Sequence, residues 1–203
     1  MRIACSLGSL LSVEEVIQCT ELVSKTGIDS IWIPETWGME NFSMLGAVAN
    51  NTNTQKIGSS IINIYSRSPS TIAMGSATID TLSNGRLILG LGTSSVPIVE
   101  DFHGEKFENP VQRMREYVEI IRLSLMKKQI NYSGKIFDLK NFTLLIEPKR
   151  QSIPIYLAAI NQKMVNLCWE IADGVIFYLR PLDEMQKTIS KMQSQKNIDV
   201  ACQ

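Results

Sequence analysis

Short runs of apolar residues along the chain alternate with longer stretches in which apolar positions recur every three or four residues. The first pattern is that of a buried strand, the second that of an amphipathic helix. Residues 2–7 read as a first strand. Ser12 with Glu15 forms a capping box and predicts a helix to about residue 26. Val16, Cys19 and Val23 fall on its inner face, and Gly27 sits where a left-handed C-terminal residue is wanted. Residues 29–33 read as a second strand, ended by Pro34, and a short helix over 42–50 follows.

Residues 56–85 organise the rest of the chain. A strand carrying Ile57, Ile61, Ile62 and Ile64 turns through Tyr65, Ser66 and Arg67 and enters a helix at Ser68-Pro69. Proline suits a first helical position, where its missing N–H costs nothing. One side of this helix is small (Ala73, Gly75, Ser76, Ala77), while Ile72, Ile79 and Leu82 form an apolar stripe. Asn84-Gly85 ends it, and residues 87–91 begin another strand. This is the strand–helix–strand order of a parallel sheet.

A long loop over 93–103 follows, and Asn109-Pro110 then opens the longest helix, with Val111, Met114, Val118, Ile121 and Leu125 at helical spacing. Lys127 and Lys128 suit the negative end of its dipole. Residues 129–145 break the alternation and read as a small hairpin or an extended excursion inserted before the fifth strand. Strands at 153–158, 175–178 and 198–202 and helices at 162–172 and 182–193 complete the pattern. Strand-then-helix thus occurs six times, with a seventh strand begun. Such an α/β chain is compatible with a doubly wound open sheet or with a TIM (β/α)8 barrel, for which 203 residues would supply about the first six and a half units. On that reading residues 1–203 are one barrel domain truncated at its C-terminus.

Composition narrows the function. Twenty basic and twenty acidic residues cancel, which argues against an extended nucleic-acid surface. No stretch approaches the length of a membrane span, and Glu14-Glu15 interrupts the only segment resembling a secretory signal, so a cytoplasmic protein is expected. Cys5, Cys19, Cys168 and Cys202 are scattered and read as reduced thiols. With His103 as the single histidine, a zinc site of the usual ligands is not expected.

In both architectures ligands bind beyond the carboxyl ends of the strands. That rule nominates residues 35–38, 60–67, 93–103, 159–163 and 178–180. Glu35 is a general acid or base if desolvated, or else a partner for Arg67. Trp37 is a wall for a planar substrate, or else a rim aromatic. Gly90-Leu91-Gly92 lacks the third glycine of a dinucleotide fingerprint. His103 reads as structural. Residues 159–162 open a helix whose free N–H groups suit a phosphate, with Asn161 as its ordinary cap.

Several stretches together resemble the luciferase-like superfamily of flavin- and deazaflavin-dependent oxidoreductases: IWIPETWG, KIGSSIINIYSRSPSTIAMGSATIDTLSNGRLILGLGTS, FHGEKFENPVQRMREYVEIIR, and IPIYLAAINQKM with EIADGV. They look most like the branch using coenzyme F420, which includes methylenetetrahydromethanopterin reductase. The resemblance implies a TIM barrel with an insertion, a homodimer, and hydride transfer between F420 and a small organic substrate. It also implies a non-proline cis peptide at Ser60-Ile61 backing the coenzyme ring. Asn63, Thr93 and Ser94 would line the ring or its side chain; Ala158, Ala159 and Asn161 would form the phosphate turn, with Arg180 as a further phosphate partner. Asn161-Gln162 stands where relatives often have Gly-Pro, and Thr36 where many have histidine. The alternatives are an FMN-dependent monooxygenase and a non-catalytic remnant acting as a binding partner.

Overall fold

The fold follows from the alternation. The computed structural model describes residues 2–8, 10–126 and 129–203. In order the elements are β1 (Ala4–Ser6), α1 (Val13–Ser24), β2 (Ser30–Ile33), α2 (Asn41–Asn50), β3 (Lys56–Ser59), β4 (Ile62–Asn63), α3 (Pro69–Leu82), β5 (Leu87–Gly92) and α4 (Pro110–Met126). There follow β6 (Gln129–Ser133), β7 (Asp138–Thr143), β8 (Ile155–Ala158), α5 (Gln162–Ile171), β9 (Gly174–Phe177), α6 (Leu182–Gln193) and β10 (Asp199–Cys202). The loop after β5 contains a π-helical turn, Ile98–Phe102. Lys127 and Lys128 lie outside the described residues.

All the main strands pair in parallel, in the order β1-β2-β3-β5-β8-β9-β10, and β4 continues the position of β3 against β5. The sheet curls until its edges face one another: Arg2 on the β1 side forms an ion pair with Asp199 of β10, and Gln203 donates to Ser6 Oγ. This is the architecture of a TIM barrel with an open seam. The choice left open by the alternation thus falls to the barrel. β6 and β7 form a separate antiparallel sheet, so of the two readings of the segment that breaks the alternation the structure shows the hairpin.

The core has two layers. Between sheet and helices lies the main one, with Ile31, Ile33, Ile57, Ile62, Leu87, Leu89, Leu91 and Leu157 facing Val16, Leu45, Ile72, Met114, Ile121 and Val165. Inside the curl, Trp32, Ile88, Tyr156 and Ile176 form a smaller cluster. Trp32 is the register partner of Gly58, and Tyr156 of Gly174. A Cβ at Gly58 would stand 2.4 Å from Trp32 Cε3, and one at Gly174 2.7 Å from Tyr156 Cδ1. Each large ring therefore lies over a bare backbone on the neighbouring strand, which fills the interior without crowding.

The caps match their residues. Ser12 and Glu15 form the reciprocal capping box, Ser68 caps α3 ahead of Pro69, and Asn161 accepts from Met164 N–H at 3.0 Å. Asn84 and Gly85 are both left-handed, with φ of 55° and 82°. Two expectations need correction. Gly27 is not left-handed, because α1 already ends on the right-handed Lys25, whose N–H returns to Leu22 and Val23. Leu82 is 62% exposed rather than part of the inner stripe, since the buried face of α3 runs through Ile72, Ala73, Ser76, Ala77, Ile79 and Asp80.

Candidate functional site

Because the strands are parallel, their carboxyl ends share one mouth, and the chain's irregular backbone is concentrated there. β3 and β4 are separated by the Ser60-Ile61 peptide, which is cis. Ile61 lies over the end of the neighbouring strand: a Cβ on Gly92 would be 2.5 Å from Ile61 Cγ1 and 3.4 Å from Ala158 Cβ. Ile61, Gly92 and Ala158 thus form an apolar floor above the inner cluster of Trp32, Ile88, Tyr156 and Ile176. A flat, largely apolar ring has somewhere to rest.

Polar groups border this floor with bonding capacity to spare. Ser60 donates its N–H to Ile33 O at 2.9 Å, yet its buried Oγ has no partner. Asn63 is only 2% exposed. Its Oδ1 accepts from Tyr65 N–H at 3.0 Å, which fixes the amide so that Nδ2 is the free end, and Nδ2 is also buried and unpartnered. Buried polar atoms are ordinarily paired, so two orphans on adjoining segments suit a ligand with polar edges. Asn63 is the register partner of Gly92, and Thr93 and Ser94, half-buried, follow directly on β5. Ser94 has φ of 57°.

The next strands carry the other end of the site. Ala158 closes β8, Ala159 is buried, and Asn161 caps α5, leaving first-turn N–H groups free to meet an anion. On the following loop the Arg180 guanidinium lies 5.5 Å from the centre of the Phe177 ring. Its Nε is 3.8 Å from Glu184, while Nη1 is buried without a partner. The three adjoining positions of β4, β5 and β8 therefore bring together Ile61, Asn63, Thr93, Ser94, Ala158, Ala159 and Asn161.

Glu35 and Trp37 stand apart, on the loop after β2. Glu35 is tied at both oxygens to Arg67, at 2.7 and 2.6 Å, and Oε1 also accepts from Asn41 N–H at 3.0 Å. Arg67 reaches Glu40 as well. Asn41 anchors the same loop through Ile33 O at 2.6 Å. The alternative reading of Glu35, as a partner for Arg67, describes its contacts. Trp37 is 71% exposed at the rim. His103 closes the π-helical turn through its backbone N–H to Ile98 O.

A cavity of about 530 Å³ runs inside the curl along the open seam, from Ser60 to Arg2, Asp29, Tyr156 and Asp199. Tyr156 OH donates to Asp199, and burial together with that carboxylate pushes the phenol well above its usual pKa. Among the described residues no cluster suited to hold a metal ion occurs, and no helix is long and apolar enough to cross a membrane.

The profile of the luciferase-like monooxygenase family matches residues 1–199. The chain belongs to that family. A 5,10-methylenetetrahydromethanopterin reductase of Archaeoglobus fulgidus is 38% identical over 157 residues, covering 77% of this chain and 46% of the relative. A putative coenzyme F420-dependent oxidoreductase of Mycobacterium tuberculosis is 34% identical over 166 residues, covering 75% and 48%. The coenzyme F420-dependent tetrahydromethanopterin reductase of Methanopyrus kandleri superposes with a TM-score of 0.89 at 23% identity, over 99% of this chain and 65% of that one, which shows a shared fold. The chain spans about half the length of these curated luciferase-like relatives.

Whereas Tyr65 falls within the nominated segment 60–67, three residues packed behind the mouth escape a reading of the sequence: Arg113, Glu116 and Phe137. Their only signal is the placement of Arg113 and Glu116 beside the inner residues Met114 and Val118 of α4.

Proposed function

We propose that the chain carries the coenzyme site of an F420-dependent oxidoreductase that passes hydride between the coenzyme and a small organic substrate. The observation that carries this reading is the pair of buried, unpartnered groups, Ser60 Oγ and Asn63 Nδ2, beside the apolar floor of Ile61, Gly92 and Ala158. The similarity to a putative F420-dependent oxidoreductase at 34% identity supports it.

The residues fit such a group. Ile61 would back the ring, Asn63 would donate to an acceptor on the ring edge, and Thr93 and Ser94 would flank it or its side chain. Ala158, Ala159 and Asn161 would form the turn around the phosphate, and Arg180 would add a cation. Bound F420 would supply the hydride chemistry, and the chain's own part is binding, orientation and exclusion of water. Trp37 supplies an exposed aromatic wall for the substrate, and Glu35, through Arg67, fixes the loop that carries it.

An FMN-dependent monooxygenase is the second reading, favoured by the family's description. Titration of the protein with F420 and with FMN, followed by coenzyme fluorescence, separates the two. Tighter binding of F420 is expected. Binding of FMN alone would move the assignment to the monooxygenase, and binding of neither would overturn both.

A further inference from the structure

The free amide of Asn63 is braced by contacts that lead back to the inserted hairpin. Tyr65, whose N–H fixes Asn63 Oδ1, is buried; its hydroxyl donates to Glu108 O at 2.9 Å, and its ring stacks on Phe107 with centroids 5.4 Å apart. The Arg113 guanidinium sits 4.5 Å from the Tyr65 ring centre and 5.4 Å from that of Phe137. Among the described residues no carboxylate forms an ion pair with Arg113, so its charge faces two aromatic rings. A second route runs in parallel. Phe137 meets Tyr117 edge-on at 5.2 Å, and Tyr117 OH donates to the carbonyl of Arg67 at 2.6 Å.

Phe137 is itself fixed. The Glu116 carboxylate of α4, fully buried, accepts from the N–H groups of Lys135 at 2.8 Å, Ile136 at 3.1 Å and Phe137 at 2.9 Å, and from Gln112 Nε2 at 2.8 Å. Gly134 is required beside it, since a Cβ there would lie 2.4 Å from Glu116 Oε2. The tip of the hairpin is thereby locked to α4, and α4 presents Arg113 and Tyr117 to the loop that bears Asn63.

We propose that the β6–β7 hairpin is a buttress for the 60–68 loop, with Phe137 and Arg113 as positioning residues that hold the Asn63 amide toward the coenzyme. The coupling between hairpin and loop stands on these contacts; its consequence for binding rests on the coenzyme reading. Two rigid routes that meet the loop at residues 65 and 67 leave it little freedom, and a loosened loop would present Nδ2 in many orientations.

Hydrogen exchange on the unliganded protein tests the coupling without any coenzyme. F137A should raise exchange at residues 60–68 together with the hairpin, while residues 87–92 keep wild-type protection, and F137Y should restore it. R113Q is the second variant should F137A fail to fold. Unchanged exchange at 60–68 in the folded variants would overturn the buttress. In F420 titrations, F137A and R113Q should weaken binding by about 2- to 30-fold, with F137Y close to wild type. Faster loop exchange with unchanged F420 affinity would overturn the positioning role. Failure of the wild-type protein to bind F420 would overturn the coenzyme reading, leaving the buttress to be judged by exchange alone.

Discussion

Arg67 holds Glu35 in a two-pronged pair, Nη1 to Oε2 at 2.7 Å and Nη2 to Oε1 at 2.6 Å, with both side chains largely buried at 15% and 12% exposure. The pair joins the loop after β2 to the loop before α3, two walls of the same mouth. Replacing Arg67 by alanine leaves a carboxylate in a low-dielectric site without its partner. A loss of about 3 kcal/mol is expected in denaturant unfolding. R67K should recover only part of it, because an ammonium cannot reproduce the planar fork.

Glu116 makes the hairpin sensitive to pH. Burial pushes its carboxyl upward, but the hydrogen bonds from Gln112 and from the N–H groups of Phe137, Lys135 and Ile136 outweigh it and hold the group below the ordinary value of 4.5. Its folded pKa is thus lower than its unfolded one. The stabilisation is therefore complete above the unfolded value and is lost as pH falls through the folded one. Exchange protection of residues 129–143 should be flat above about pH 5 and decline below about pH 4. E116Q turns an N–H2 toward backbone donors; it should cost about 2 kcal/mol and remove the pH dependence.

The interior glycines differ in what opposes a side chain. At Gly90 a Cβ would stand 1.9 Å from the carbonyl oxygen of Ser59, a backbone atom, whereas at Gly58 the obstacle is the Trp32 ring and at Gly38 nothing lies within 4 Å. Thermal unfolding should rank G90A as the most damaging. G58A should cost about 1–3 kcal/mol as an overpacked site, and G38A should remain within about 0.5 kcal/mol of wild type.

Asn161 separates capping from coenzyme binding. Aspartate caps a helix as well as asparagine does, so N161D should keep α5 intact by circular dichroism. It places a negative charge where the phosphate is proposed to bind. Coenzyme affinity should fall by about tenfold or more, the equivalent of about 1.4 kcal/mol. Equal affinity for N161D would remove Asn161 from the phosphate turn.

Much of this architecture is legible because connections are short and capped. Ser12 with Glu15, Ser68-Pro69 and Asn161 mark helix starts that the structure reproduces, and residues 182–193 form the helix that their periodicity predicts. What stays hidden depends on register and distance. That Trp32 lies over Gly58 follows from strand pairing, which no local pattern specifies. The burial of Glu116 depends on the hairpin tip, which folds onto it from 19 to 21 residues away. Gly27 misled because glycine after a helix suggests a left-handed cap even where a right-handed Lys25 ends it. The mouth is legible from the rule for parallel strands together with the resemblance, whereas the unpartnered state of Ser60 Oγ and Asn63 Nδ2 depends on packing that no local pattern specifies.

The central claim is that Asn63 offers its Nδ2 donor to a coenzyme ring, and N63D tests it most directly. Aspartate keeps an oxygen for the Tyr65 N–H and exchanges the free donor for an acceptor, at a cost in stability of about 1–3 kcal/mol for the buried carboxyl. Fluorescence titration with F420, at a temperature where thermal unfolding shows both proteins folded, should show the wild-type protein binding and N63D binding at least about tenfold more weakly. Equal F420 affinity in the two proteins would contradict the account.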